Sequence, residues 1–210
     1  MDKTAHWDTL YRSTAPDRVS WYQAEPEPSL RMIRQHVPLT ANIIDVGGGA
    51  STLVDGLLSA GYRRITVLDL SSAALAIDRA RLAGRAAGLT WIEGDILTVA
   101  LPSEEFQLWH DRAVFHFLTT AADRGRYLQQ LRRALAKTGY VLIATFAPEG
   151  PPRCSGLDVV RYSPEQLLAE LGPEFQIVDS VQHEHHTPGG RTQAFTYCLF
   201  HRHLTNSPPD

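Results

Sequence analysis

Ile43-Ile44-Asp45-Val46-Gly47-Gly48-Gly49-Ala50-Ser51 is an apolar run that stops on three glycines. The residues that follow, 51–60, carry apolar side chains at 53, 54, 57 and 58, the spacing of a helical stripe, and Gly61 suits its end. A strand, a glycine turn and a helix let the backbone approach a ligand at the carboxyl end of a strand. That much fits any nucleotide cofactor, and two details narrow it. A dinucleotide fingerprint begun at Gly47 needs a glycine at position 52, where Thr52 stands, and a phosphate-cradling loop needs a lysine, which is missing here. Instead a carboxylate, Asp45, stands just before the glycines. It would repel phosphates and attract the ammonium of a cofactor that carries an amino acid.

Working outward, short apolar runs alternate with helical patterns. Segments 65–70, 90–93, 106–110 and 140–146 read as strands. Segment 72–87 is rich in Ala, Leu and Arg and reads as a helix with Ser71 as its N-cap. Segment 123–136 places Tyr127, Leu128, Leu131, Ala134 and Leu135 on one helical face. Ser163-Pro164-Glu165 opens a short helix, since proline suits a first turn. Strands alternating with helices predict a parallel sheet covered on both faces. The last two strand-like runs, 175–181 and 194–200, break the rhythm. The segment between them is too short for a crossover helix and contains Pro188-Gly189-Gly190, so an antiparallel pair is predicted. The expected fold is α/β: a Rossmann-like doubly wound sheet, mostly parallel, with an antiparallel C-terminal hairpin strand and helices on both faces. Residues 1–202 are expected to form a single domain with an N-terminal helical lid over about 1–38, and 203–210 a flexible tail.

Bulk properties exclude other classes. The 210 residues carry a formal net charge of −3 and no Lys/Arg run, which disfavours a nucleic-acid partner. The two cysteines, Cys154 and Cys198, imply no disulfide framework. No signal peptide or apolar run of transmembrane length is evident, so a cytoplasmic protein without a membrane partner is expected.

Two further acids fall at strand ends. Asp69, in Val67-Leu68-Asp69-Leu70-Ser71, lies about 20 residues after the glycine turn, where an acid can take both ribose hydroxyls. Asp95, in Ile92-Glu93-Gly94-Asp95-Ile96, follows the third strand and could accept from an adenine amino group, with the Ile96 N–H near a ring nitrogen. With these residues, and with Gly139-Tyr140 leading the fifth strand, the chain resembles the class I S-adenosylmethionine (SAM)-dependent methyltransferases over roughly 43–200. The resemblance implies SAM as cofactor and S-adenosylhomocysteine as product. It implies Asp45, Gly47, Gly48 and Gly49 at the methionine part, Asp69 and Leu70 at the ribose, and Asp95 and Ile96 at the adenine. Ser51 departs from the family's frequent last glycine.

The acceptor side is less defined. The fourth strand runs into His110-Asp111-Arg112. His110 reads as a general base or a cofactor contact, and Asp111 and Arg112 as holders of a charged acceptor or as a mutual ion pair. Asp-Arg here is similar to thiol and thiopurine methyltransferases, whereas Asp-Lys-Gly would suit small protein-lysine methyltransferases. The expectation is therefore a small-molecule acceptor attacked through S, N or O, with a protein-lysine acceptor as the alternative and a NAD-linked reductase more remote. Trp7, Tyr11, Trp21 and Tyr22 suggest a lid able to cover a sulfonium, or ordinary packing. Arg153, Cys154 and the turn at 186–188 are expected near the acceptor pocket. His183-Glu184-His185-His186 reads as a histidine-rich loop and not as a metal site, because adjacent strand residues point to opposite faces.

Overall fold

The computed structural model describes residues 3–203. Nine strands follow in chain order: β1 (Asn42–Val46), β2 (Arg64–Asp69), β3 (Thr90–Glu93), β4 (Phe106–Arg112), β5 (Leu135–Phe146), β6 (Arg153–Cys154), β7 (Leu157–Asp158), β8 (Phe175–His186) and β9 (Thr192–Arg202). The helices are α1 (Lys3–Ser13), α2 (Glu27–His36), α3 (Leu53–Ala60), α4 (Ser72–Leu82), α5 (Ala121–Ala134) and α6 (Pro164–Leu171).

Seven strands form one sheet in the order β3-β2-β1-β4-β5-β9-β8, and β6 and β7 make a separate small hairpin. The first five of the sheet run parallel, β9 runs antiparallel to β5, and β8 runs antiparallel to β9. The expected Rossmann-like sheet with its antiparallel C-terminal hairpin is the fold observed. The order reverses between β1 and β4, which opens a crevice above their carboxyl ends.

β1 shows why this strand sits at the centre. Ile43 faces the layer built from Met32 and Ile33 of α2 and Leu53, Val54 and Leu57 of α3. Ile44 and Val46 face the opposite layer, with Tyr127, Leu128 and Leu131 of α5 and Leu167 of α6. Both isoleucines are fully buried, and each such side chain stabilises the fold by roughly 1.5–3 kcal/mol. Local chemistry sets the helix starts as read. Ser71 caps α4 by accepting from Ala74 N (3.2 Å), and Ser163 and Gln166 form a reciprocal capping box ahead of Pro164.

The structure departs from the sequence reading at several boundaries. The histidine-rich segment 183–186 is strand and not loop: β8 runs on to His186, and the turn is confined to the residues around Pro188-Gly189-Gly190. His183 and His185 thereby approach the rings of Tyr197 and Phe195, while Glu184 and His186 are exposed. α5 stops at Ala134 because Leu135 already pairs with Phe106 as the first residue of β5. His203 is tied down by donating its N–H to Glu174 O (3.0 Å), and the rest of the expected tail, 204–210, lies outside the described residues. Among the described residues no helix is long and apolar enough to cross a membrane, and no group of three His, Cys, Asp or Glu is placed to hold a metal.

Candidate active site

Two clefts meet above the β1–β4 crevice and share Trp21, Gly47 and Arg112. The larger encloses about 850 Å³ and the smaller about 480 Å³.

The glycine turn forms the floor. Gly47 sits in the left-handed region (φ +68°), and a Cβ there would strike Val114 Cγ2. A Cβ on Gly48 would strike the Asp45 carboxylate, and one on Gly49 would lie 2.6 Å from Ala74 Cβ. Side chains are therefore excluded and the backbone is bared to the smaller cleft.

Asp45 lines that smaller cleft beside the three glycines and His110. Its Oδ1 lies 2.6 Å from His110 Nδ1, and His110 Nε2 lies 2.9 Å from Ser29 Oγ. An ionised carboxylate only accepts, so Nδ1 donates to it, and Nε2 is left to accept from the Ser29 hydroxyl. All three residues are buried. Asp45 Oδ2 is also buried and has no hydrogen-bond partner among the described residues. A buried, unpartnered carboxylate oxygen is costly unless a donor reaches it. An ammonium suits that oxygen, and the side-chain-free turn suits a ligand backbone laid against it.

Asp69 and Asp95 border the larger cleft with Leu70 and Ile96. Asp69 Oδ2 accepts from Gly49 N (3.0 Å) and Oδ1 from Ser71 N (2.8 Å), so the carboxylate ties β2 to the glycine turn. Burial pushes its pKa up to about 6, against the lowering effect of those two backbone donors. Asp95 Oδ1 accepts from Leu97 N (2.9 Å), which shapes the turn after β3.

The roof comes from the N-terminal segment. Trp7, Tyr11 and Trp21 line the larger cleft with Phe117. Trp7 packs edge-on against Trp21 (5.6 Å between ring centres) and against Phe117 (5.3 Å), and Trp21 Nε1 donates to Tyr11 Oη (3.3 Å). Asp8 fixes α1 in place by accepting at Oδ1 from Ser71 Oγ (2.5 Å) and Ala73 N (3.2 Å) at the start of α4, where a carboxylate meets the positive end of a helix.

The three residues at the end of β4 are separated by the strand alternation. His110 and Arg112 face the clefts, whereas Asp111 points to the other side and is fully buried. Asp111 accepts from Val114 N (2.9 Å), Phe115 N and Tyr127 Oη (2.6 Å), and Trp109 Nε1 donates to the same Tyr127 oxygen (2.8 Å). Burial lifts the Asp111 pKa to about 6, and the Tyr127 hydrogen bond opposes that rise. Asp111 thus lines neither cleft and forms no ion pair with Arg112. It holds the turn in which Ala113 takes a left-handed conformation (φ +70°) and which carries Val114 over Gly47. A non-glycine residue in that region costs on the order of 1 kcal/mol.

Arg112 lines both clefts. Its Nε donates to Tyr197 Oη (2.8 Å), its Nη1 donates to Trp21 O (2.8 Å), and its guanidinium lies 4.6 Å from the centre of the Phe195 ring. Cys154 borders the larger cleft, and burial pushes its pKa up to about 12. Arg153 instead pairs with Asp158 on the surface, at neither cleft. Ser29, Phe195 and Tyr197 escape the sequence reading, because each lies far along the chain from the residue it serves. Tyr127 reads from sequence only as part of a helical face, and its hydrogen bond to Asp111 has no local motif to mark it.

Comparison with known proteins bears on the domain and the fold. Residues 43–139 match the methyltransferase domain family. Human EEF1A lysine methyltransferase 2 is 24% identical over 204 residues, covering 89% of this chain and 80% of that protein. A solved structure described for conversion of a disulfide bond into a thioacetal group during echinomycin biosynthesis aligns with a TM-score of 0.77 at 19% identity, over 98% of this chain and 94% of the other. Burkholderia thailandensis 1,6-didemethyltoxoflavin-N1-methyltransferase, solved with 1,6-didemethyltoxoflavin and S-adenosylhomocysteine bound, aligns at 0.67 and 18% identity, over 96% and 84%. The seven-stranded, mostly parallel sheet with its antiparallel C-terminal strands is the Rossmann-like methyltransferase fold. Residues 43–139, a little under half of the chain, carry a methyltransferase domain, and that domain together with its relatives supports a SAM-dependent methyltransferase.

Proposed function

We propose that this enzyme methylates a small-molecule nucleophile, and that the residues around the two clefts divide the work between cofactor and acceptor. The observation that carries the reading is the roofed larger cleft. Its walls run from Asp69 and Asp95 to Phe117 and Cys154 under Trp7, Tyr11 and Trp21. The roof leaves the acceptor to enter a covered, mostly apolar space.

SAM, when bound, supplies an electrophilic methyl group on a sulfonium. In this reading Asp45 Oδ2 takes its ammonium, with Gly47, Gly48 and Gly49 against the methionine chain. Asp69, with Leu70 beside it, takes the ribose hydroxyls, and Asp95 and Ile96 the adenine. His110 holds Asp45 in orientation and, with Nδ1 and Nε2 both engaged, does not act as the base. Asp111 acts through the turn that it pins, and Arg112 faces the acceptor. Trp7, Tyr11 and Trp21 exclude water and offer ring faces to the sulfonium. Alignment of nucleophile and methyl carbon is then the main demand on the protein. The Burkholderia relative in fold, with its small heteroaromatic ligand, supports a small acceptor.

One observation favours a second reading. The human relative in sequence is named for lysine methylation of EEF1A, so a protein lysine is the alternative acceptor. Incubation with methyl-labelled SAM and a panel of thiols, phenols and amines, in parallel with a protein lysate, tests the choice. Label on a small molecule is expected. Label confined to protein lysines would overturn the proposal.

A further inference from the structure

The charge balance of the site is incomplete at Arg112. The acids nearby are held by other groups: Asp45 Oδ1 by His110, with its unpartnered Oδ2 beside the glycine turn, Asp69 by two backbone amides, Asp95 by Leu97 N, and Asp111 by Tyr127 and two amides. Among the described residues no carboxylate forms an ion pair with Arg112. Its two neutral partners, Tyr197 Oη and Trp21 O, use Nε and Nη1, while Nη2 is shielded from solvent and has no partner. The surrounding imidazoles supply no compensation. The Arg112 cation adds to burial in holding His116, His183 and His185 below the ordinary histidine range.

A guanidinium set against Phe195 and Trp21, with a free donor and no counter-charge, is unfavourable until an anion arrives. The planar fork of an arginine suits a carboxylate in particular. Arg112 rests on the β9 residues Phe195 and Tyr197 while bordering both clefts. Cys154, next to it in the larger cleft, has its thiol held neutral by burial, so it brings no competing negative charge.

We infer that Arg112 reads an anionic group on the acceptor, and that the enzyme methylates small acids, carboxylates above all. This rests on the small-molecule reading given above. The cofactor's own carboxylate is the competing source of the same chemistry, and the test separates the two.

The protein saturated with S-adenosylhomocysteine is titrated calorimetrically with two matched pairs: 4-mercaptobenzoate against 4-mercaptobenzamide, and 4-hydroxybenzoate against 4-hydroxybenzamide. The wild type is expected to bind the acid of at least one pair about tenfold or more tightly than its amide. Arg112→Gln should abolish that preference and Arg112→Lys should keep part of it, while affinity for S-adenosylhomocysteine changes less than about threefold in both. Equal binding of acid and amide by the wild type, or no binding of any of the four, overturns the inference without any variant being needed. A loss of S-adenosylhomocysteine affinity in Arg112→Gln with the acid preference intact also overturns it and assigns Arg112 to the cofactor. Amides that bind as well as acids would leave the small-molecule reading standing. Label confined to protein lysines in the earlier assay would remove that reading instead.

Discussion

His110 Nδ1 and Asp45 Oδ1 stand 2.6 Å apart at paired positions of two neighbouring parallel strands, with Ser29 closing the other side of the ring at 2.9 Å. The consequence is a carboxylate with one oxygen fixed and the other aimed at the glycine turn. Truncation of His110 to alanine should leave Asp45 without its charged hydrogen bond, worth about 1.5–3 kcal/mol, and weaken SAM binding roughly 10- to 100-fold. His110→Asn, whose amide can stand near the place of Nδ1, should recover part of that loss. Calorimetric titration with SAM checks both, and equal affinity in all three proteins would remove the positioning role.

Asp69 gives the site a pH dependence. Its folded-state pKa is raised from 3.8 to about 6, so the neutral acid is favoured on folding. Its contribution to stability is therefore present at low pH and is lost as pH rises through about 6. Binding has the opposite sign, because only the ionised carboxylate accepts from both ribose hydroxyls. SAM affinity of the wild type should climb close to tenfold between about pH 5 and 7. Asp69→Asn should bind weakly and lack this rise. A parallel rise in the variant would assign the pH dependence to another group.

Tyr127→Phe tests the reassignment of Asp111. The variant leaves the buried Trp109 N–H without a partner, at a cost of about 1–3 kcal/mol, and removes one of the two donors to Asp111 Oδ2, which keeps Phe115 N (3.1 Å). The urea midpoint should fall accordingly while SAM affinity in the folded protein stays close to wild type. Undiminished stability would show that the turn does not depend on this network.

Gly48→Ala brings a methyl group onto the Asp45 carboxylate. Overpacking of this kind costs about 1–3 kcal/mol, and here it also occupies the space beside the free oxygen. Loss of SAM binding with a folded circular dichroism spectrum is expected. Normal SAM binding would argue that the ligand chain does not lie against Gly48.

Most of the sheet was legible because a central parallel strand must be apolar on both faces and must end in turn chemistry. Ile43-Ile44 ahead of Gly47-Gly48-Gly49 meets both demands within a few residues. That Asp45, Asp69 and Asp95 would border one crevice was legible for the same reason, since strand ends place them by spacing alone. The acceptor side was not. His110, Asp111 and Arg112 are consecutive, yet the strand alternation sends the middle one into the opposite core layer. Ser29 lies 81 positions before His110 and Tyr197 lies 85 after Arg112, and only the closed sheet brings these pairs together. The histidine run reads as a loop from its polarity. Its alternation, with His183 and His185 turned toward Tyr197 and Phe195, was the available sign of a strand.

The clefts around Asp45, Asp69 and Asp95 should together hold SAM. Calorimetric titration of the wild type and Asp45→Ala with SAM, and of the wild type with NAD, tests this most directly. One SAM should bind per chain with a Kd in the range of about 1 μM to 1 mM, strongly weakened in Asp45→Ala, and NAD should not bind. Absence of SAM binding at millimolar concentration, or tight binding of NAD at the same clefts, would contradict it.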